Sequence, residues 1–142
     1  MKRFDFSLQK VLDLREFEKK QAEAELGRAV GEETRIENSL KNVAESREAT
    51  VRAADNMRNL SDLYNANRYF ALLDQQKEQL LEELTQAKLV TEEKREAMRE
   101  AMKKQKVLEK LKEKRLASWK KEALKEEEIV VDDITTGKFG RE

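Results

Sequence analysis

The sequence predicts an all-α protein, a long two-helix antiparallel coiled-coil hairpin that forms a single domain over residues 1–142. Proline is absent, and no glycine occurs between Gly31 and Gly137, so the usual helix breakers are missing from most of the chain. Asp, Glu, Lys and Arg make up 42% of the residues and aromatic residues 6%, which is typical of long helices. Hydrophobic residues make up only 38% and form a thin stripe, so a thick central core is not expected.

Helix one is predicted over about residues 7–58, with Ser7 as its N-cap. Spacings of four and three residues alternate along this segment, and this heptad pattern places its members on one face, here called the seam. The predicted seam of helix one contains Ala22, Leu26, Ala29, Glu33, Ile36, Leu40, Val43, Arg47, Thr50, Ala54 and Met57.

The turn is predicted over about residues 59–66, where Asn, Ser and Asp side chains cluster and compete with the helix for backbone hydrogen bonds. A turn centred between Leu63 and Tyr64 places Glu33 opposite Lys94, which would form an opposite-charge layer. A slip of one heptad in either direction remains open.

Helix two is predicted over about residues 67–130, with a second seam that continues less regularly to Trp119. After Glu128 the chain has three β-branched residues in a row and then an acidic pair, so we expect residues 131–142 to be a disordered tail. The seam of helix two contains Phe70, Leu73, Lys77, Leu80, Leu84, Ala87, Thr91, Lys94, Met98, Ala101, Gln105 and Leu108.

Charge and composition exclude several classes of function. Thirty basic and thirty acidic residues cancel, and without cysteine or histidine the chain has no disulfide, thiolate or imidazole chemistry. No phosphate-binding loop or nucleophile motif occurs, and a solvated hairpin offers no pocket for paired carboxylates. We therefore expect no enzymatic activity, no cofactor and no metal site. No stretch resembles a signal peptide or a membrane span, which indicates a soluble, cytoplasmic protein.

Two local features of the sequence are candidate binding surfaces, one basic and one apolar. Twelve basic and four acidic residues lie between Lys94 and Lys121. They spread around the helix without interleaved aromatic residues, so a solvated or protein-binding face is favoured over nucleic acid. The end that carries both termini is rich in apolar residues outside the seam. These residues either widen the helix interface, with Trp119 packed on Leu8, or contact another protein.

The ends of the chain resemble the flagellar export protein FliJ family. The opening MKRFDFSLQKVLDLREFEKKQAEAEL is similar to the N-terminus of that family. KVLEKLKEKR from Lys106 to Arg115, followed by an acidic segment and Asp132-Asp133-Ile134, is similar to its C-terminal half. Length and hairpin layout agree, so the resemblance covers nearly the whole chain.

The resemblance implies a non-enzymatic component of the flagellar type III export apparatus. Members of the family insert the end bearing the termini into a hexameric export ATPase (FliI), contact the export gate (FlhA) and bind export chaperones. Such a protein is cytoplasmic, reaches the inner membrane only through the apparatus and binds no nucleic acid. The alternatives are a stalk protein of a related secretion system, a coiled coil that homodimerises, and a hairpin that binds nucleic acid.

Candidate contact residues follow from the resemblance together with the apolar excess. The predicted ATPase-binding residues are Leu8, Val11, Leu14, Arg15, Phe17, Leu111, Arg115 and Trp119. The predicted gate-binding residues are Tyr69, Leu73, Gln76 and Leu80, of which Leu73 and Leu80 also belong to the seam.

Overall fold

Two long helices make up nearly all of the protein. A computed structural model describes residues 2–139. In it, α1 comprises Gln9–Ala54, with 46 residues, and α2 comprises Leu60–Phe139, with 80 residues. The described residues contain no strand, and the two helices pack against each other. The all-α helical hairpin predicted from the sequence is confirmed.

The N-terminus of α1 differs from the prediction because Ser7 has another role. Its hydroxyl accepts a hydrogen bond of 2.8 Å from the Arg115 guanidinium and does not cap the helix. The backbone N–H of Gln9 donates to the carbonyl of Phe6 at 3.0 Å, which closes a turn before the first helical residue. Helix α1 therefore begins at Gln9.

The connection between the helices comprises residues 55–59, so the predicted turn at 59–66 is wrong. Asn59 explains the difference, because its side-chain oxygen accepts from the backbone N–H of Ser61 at 3.0 Å. Its carbonyl also accepts from the N–H of Leu63 at 3.1 Å. Asn59 is thus the N-cap of α2, and the following Ser, Asp and Asn residues lie inside the first turns of a helix that begins at Leu60.

The C-terminal part of α2 is longer than predicted. The helix continues to Phe139, so the expectation of disorder is wrong for residues 131–139, while residues 140–142 lie outside the described part of the chain. The Thr135 hydroxyl donates to the carbonyl of Val131 at 2.9 Å, a bond that this residue forms inside a helix. With no proline in the chain, β-branched residues weaken a helix here without terminating it.

Contacts divide the chain into two compact units. The terminal unit comprises Met1–Lys20 and Arg99–Glu142, and the hairpin unit comprises Gln21–Met98. In the hairpin unit the seam is confirmed, because its predicted members are buried or half-buried, with Arg47 and Lys77 as the exposed exceptions. The buried seam residues of this unit are Ala29, Ile36, Leu73 and Thr91.

The register of the hairpin unit is shifted by one heptad from the prediction. Arg47 Nε donates to Asp74 at 3.0 Å, and Lys94 Nζ lies 3.1 Å from a carboxylate oxygen of Glu25. These pairs are symmetric about Leu60, so the predicted partner of Lys94, Glu33, is wrong. The shift follows from the earlier start of α2, and it keeps seam against seam because it equals one repeat.

Two glycines lie inside α1 with free space around them. A methyl group built on Gly27 or Gly31 meets no other atom within 4 Å. Because glycine costs a helix interior about 1 kcal/mol relative to alanine, we expect Gly27→Ala with Gly31→Ala to raise the free energy of unfolding by about 1–2 kcal/mol in urea denaturation. Gly137→Ala has equal space but lies near the end of α2 and should leave that free energy unchanged. Equal effects from both changes would contradict this explanation.

Candidate partner-binding surfaces

The segment before α1 packs against α2 in the terminal unit. The rings of Phe4 and Trp119 have centroids 5.9 Å apart and are tilted by 59°, a favourable aromatic geometry. The Arg115 guanidinium lies 5.6 Å from the centre of the Phe6 ring, and the Phe6 side chain is buried. Trp119, which the sequence places against Leu8, therefore also packs on Phe4. Part of the apolar excess at this end is therefore covered by the chain itself.

Five of the eight predicted ATPase-binding residues are engaged inside the terminal unit. Leu8, Leu111 and Trp119 are half-buried. Arg115 contacts Phe6 and Ser7, and Arg15 forms an ion pair of 3.0 Å with Glu18. These five residues therefore contact other residues of the terminal unit.

The other three predicted residues, Val11, Leu14 and Phe17, are exposed, and we call them the outer apolar patch. Leu14 is 51% exposed and Phe17 is 58% exposed, although both are large and apolar. Leu12, which lies between Val11 and Leu14 in the sequence, is buried, so α1 presents apolar residues both toward α2 and away from it. The outer apolar patch is available to a partner without any rearrangement of the helices.

The four predicted gate-binding residues also divide into two that pack inside the protein and two that are exposed. Leu73 is only 3% exposed and Leu80 is half-buried, so both pack in the hairpin, whereas Tyr69 and Gln76 are exposed. Sequence reasoning missed Leu72, which is exposed and lies three residues from Tyr69 on the same side of α2. Tyr69 and Leu72 lie together on an open surface formed by α2 alone. Leu72 could have been found from the sequence, because it is an apolar residue that does not belong to the seam.

One ion pair of the hairpin unit, between Glu32 and Arg35 of α1, changes the pKa values of both of its members. Arg35 donates to both carboxylate oxygens of Glu32, at 3.0 and 2.6 Å. These hydrogen bonds lower the pKa of Glu32 and raise that of Arg35. The pair therefore stabilises the fold above the usual pKa of glutamate, and this contribution is lost as the pH falls through the lowered value. A general acid at neutral pH needs a raised carboxyl pKa, so Glu32 is unsuited to that role.

Residues 2–139 contain neither a membrane-spanning helix nor a metal-binding cluster. No helix in this range has a stretch apolar enough and long enough to cross a bilayer. The same residues include no group of three or more acidic side chains arranged to bind a metal ion.

A comparison with protein families gives a match over nearly the whole chain. The model described as Flagellar FliJ protein matches residues 4–142. No curated protein and no solved structure matches the chain. The match includes α1, α2 and the segment with Phe4 and Phe6. The chain therefore belongs to the FliJ family, whose members are non-enzymatic components of flagellar protein export.

Proposed function

We propose that this protein is a central-stalk and adaptor component of the flagellar type III export apparatus. In this role it binds the export ATPase (FliI) hexamer through its terminal unit, contacts the cytoplasmic region of the export gate (FlhA), and binds export chaperones. It works in the cytoplasm and is associated with the inner membrane only through these partners. Membership of the FliJ family supports this proposal.

The outer apolar patch is the observation that carries the ATPase contact. Burying an apolar side chain is favourable by about 25 cal/mol per Å², so exposed Leu14 and Phe17 are costly in isolation and useful in an interface. The patch lies on α1, so its backbone is already ordered as a helix and little of its conformational freedom is lost on binding.

The gate contact is assigned to exposed residues of the hairpin unit. We retain Tyr69 and Gln76 and add Leu72, because these three side chains are accessible while the hairpin stays closed. Leu73 and Leu80 support them from the seam. Tyr69 and Leu72 are neighbours on one open surface of α2, and a tyrosine is a frequent anchor for protein partners.

Gel filtration with each partner separately tests the proposal. The full chain, mixed with the export ATPase or with the cytoplasmic region of the gate, should elute with each of them in an earlier peak. Elution of the chain alone in both mixtures, with its helical circular dichroism spectrum intact, would refute the proposed function. Elution with only one partner would remove the other contact from the proposal.

The gate contact gives a specific prediction. Tyr69→Ala with Leu72→Ala should weaken binding to the gate region at least about tenfold, because both anchors are lost, and leave ATPase binding unchanged. Isothermal titration calorimetry measures both affinities. The matched control is Leu89→Ala with Val90→Ala, since these residues are exposed apolar side chains of the same unit outside the seam. Equal losses in the two variants would contradict the assignment.

A further inference from the structure

The last part of α2, residues 120–139, here called the extension, is an exposed helix in the terminal unit. Beyond Trp119 every described side chain is exposed, apart from half-buried Ala123. Three consecutive β-branched residues lie in this helix, although such residues are weak helix formers. An isolated helix of this kind is marginal in water, so a packing partner would stabilise it considerably. Its large exposed apolar side chains are Leu124, Ile129, Val130, Val131 and Ile134.

The charge of the extension limits which partner can pack there. Between Glu122 and Ile134 the sequence has six acidic residues and one basic residue. Glu126 and Glu127 lie beside Val130 and Val131 on one open side of the helix, so carboxylates border the apolar surface directly. Two extensions would repel each other at this density of like charge. A complementary surface must be apolar at its centre and basic at its edges.

The terminal unit itself contains such a surface, here called the basic groove. It has a volume of about 400 Å³ and is lined by side chains of both helices. Exposed Met102 supplies apolar surface. The lining has four basic residues, Lys19, Arg99, Lys103 and Lys106, against one acidic residue, Glu109, and Lys103 also forms an ion pair of 3.6 Å with Glu100. The aliphatic stems of lysine and arginine extend the apolar surface toward these charges.

We propose that the protein forms an antiparallel homodimer in which the extension of each chain lies in the basic groove of the other. The α2 residues of the groove, 99–109, span about 15 Å, and the acidic segment 122–134 spans about 18 Å, so their lengths match. The two segments are placed symmetrically about Leu116, and a two-fold axis near this residue forms both contacts at once. Each contact joins opposite charges and covers exposed apolar side chains.

Analytical ultracentrifugation of two complementary variants tests the proposal without any export protein. Lys103→Glu with Lys106→Glu makes the groove acidic, and Glu127→Lys with Glu128→Lys makes the facing side of the extension basic, because these two carboxylates lie on the same side of α2 as Lys106. At about 50 mM salt we expect a wild-type dimer, and a dimer at least about tenfold weaker for each variant alone, because like charges then meet. An equimolar mixture of the two variants should recover dimers, since both of its contacts again join opposite charges.

The matched control reverses two lysines of the hairpin unit, Lys41→Glu with Lys88→Glu, and should remain dimeric. Circular dichroism checks that all variants are equally helical. A wild-type protein that stays monomeric at low salt would overturn the proposal. So would variants that dimerise like the wild type, or a mixture that stays monomeric.

Discussion

Leu14→Ala with Phe17→Ala should weaken binding to the export ATPase by about tenfold to a hundredfold. Both side chains are more than half exposed, so truncating them should change the stability of the free protein less than truncating buried residues does. In the complex they would be buried, and losing two large apolar anchors should cost about 1.4–2.8 kcal/mol of binding free energy, since each factor of ten in affinity corresponds to about 1.4 kcal/mol. Surface plasmon resonance with immobilised ATPase measures the effect.

A matched variant tests whether the loss of ATPase affinity comes from the outer apolar patch itself and not from the removal of exposed apolar side chains in general. Leu89 is 58% exposed and Val90 is 44% exposed, close to the values of Phe17 and Leu14, but they lie in the hairpin unit. Leu89→Ala with Val90→Ala should leave ATPase affinity unchanged. If the Leu14 and Phe17 variant retains wild-type affinity and helicity, the outer apolar patch is not the ATPase contact.

Ile36→Ala should lower the free energy of unfolding by about 2–5 kcal/mol, the largest effect expected from a single substitution in the hairpin unit. Ile36 is only 2% exposed and is the largest apolar side chain buried to this degree. A hairpin buries one stripe on each helix, so few other contacts compensate for a cavity there. Urea denaturation followed by circular dichroism measures the change.

Val30→Ala is the control for this prediction, because Val30 is exposed on the same helix. Its effect should stay within about 0.5 kcal/mol, as for most surface substitutions. Similar losses from Ile36→Ala and Val30→Ala would mean that the seam does not provide the main packing energy of the hairpin unit.

The seam of the hairpin unit could be predicted from sequence because its heptad spacing is local. Ile36 and Thr91 were assigned to it from spacing alone, and both are almost completely buried. The register could not be predicted with the same security, because a shift of one repeat leaves apolar residues facing apolar residues. Only specific pairs distinguish the registers, and Lys94 had suitable partners in Glu25 and Glu33. The structure pairs it with Glu25.

The boundaries depended on capping, which several residues could have supplied. Asn59 caps α2, but neighbouring polar residues had equally suitable side chains. At the other end, the weak helix propensity of Val130 and Val131 suggested disorder, although helix continues there to Phe139. Propensity alone is a weak guide when no residue actively terminates a helix.

The candidate surfaces were predicted in part. Exposure of Leu14 and Phe17 follows from their positions outside the seam. The contact between Phe4 and Trp119 joins residues far apart in the chain, one of which precedes α1 and has no helical periodicity. Sequence spacing carries no information on such a contact.

The rate of ATP hydrolysis by the export ATPase, measured together with its oligomeric state, tests the central claim most directly. The ATPase is assayed alone, with an equal concentration of this protein, and with the Leu14→Ala and Phe17→Ala variant. We predict that the wild-type chain increases both the fraction of hexamers and the hydrolysis rate, and that the variant does so weakly. Unchanged hydrolysis and oligomeric state in the presence of the folded, helical wild-type protein would contradict the central-stalk role.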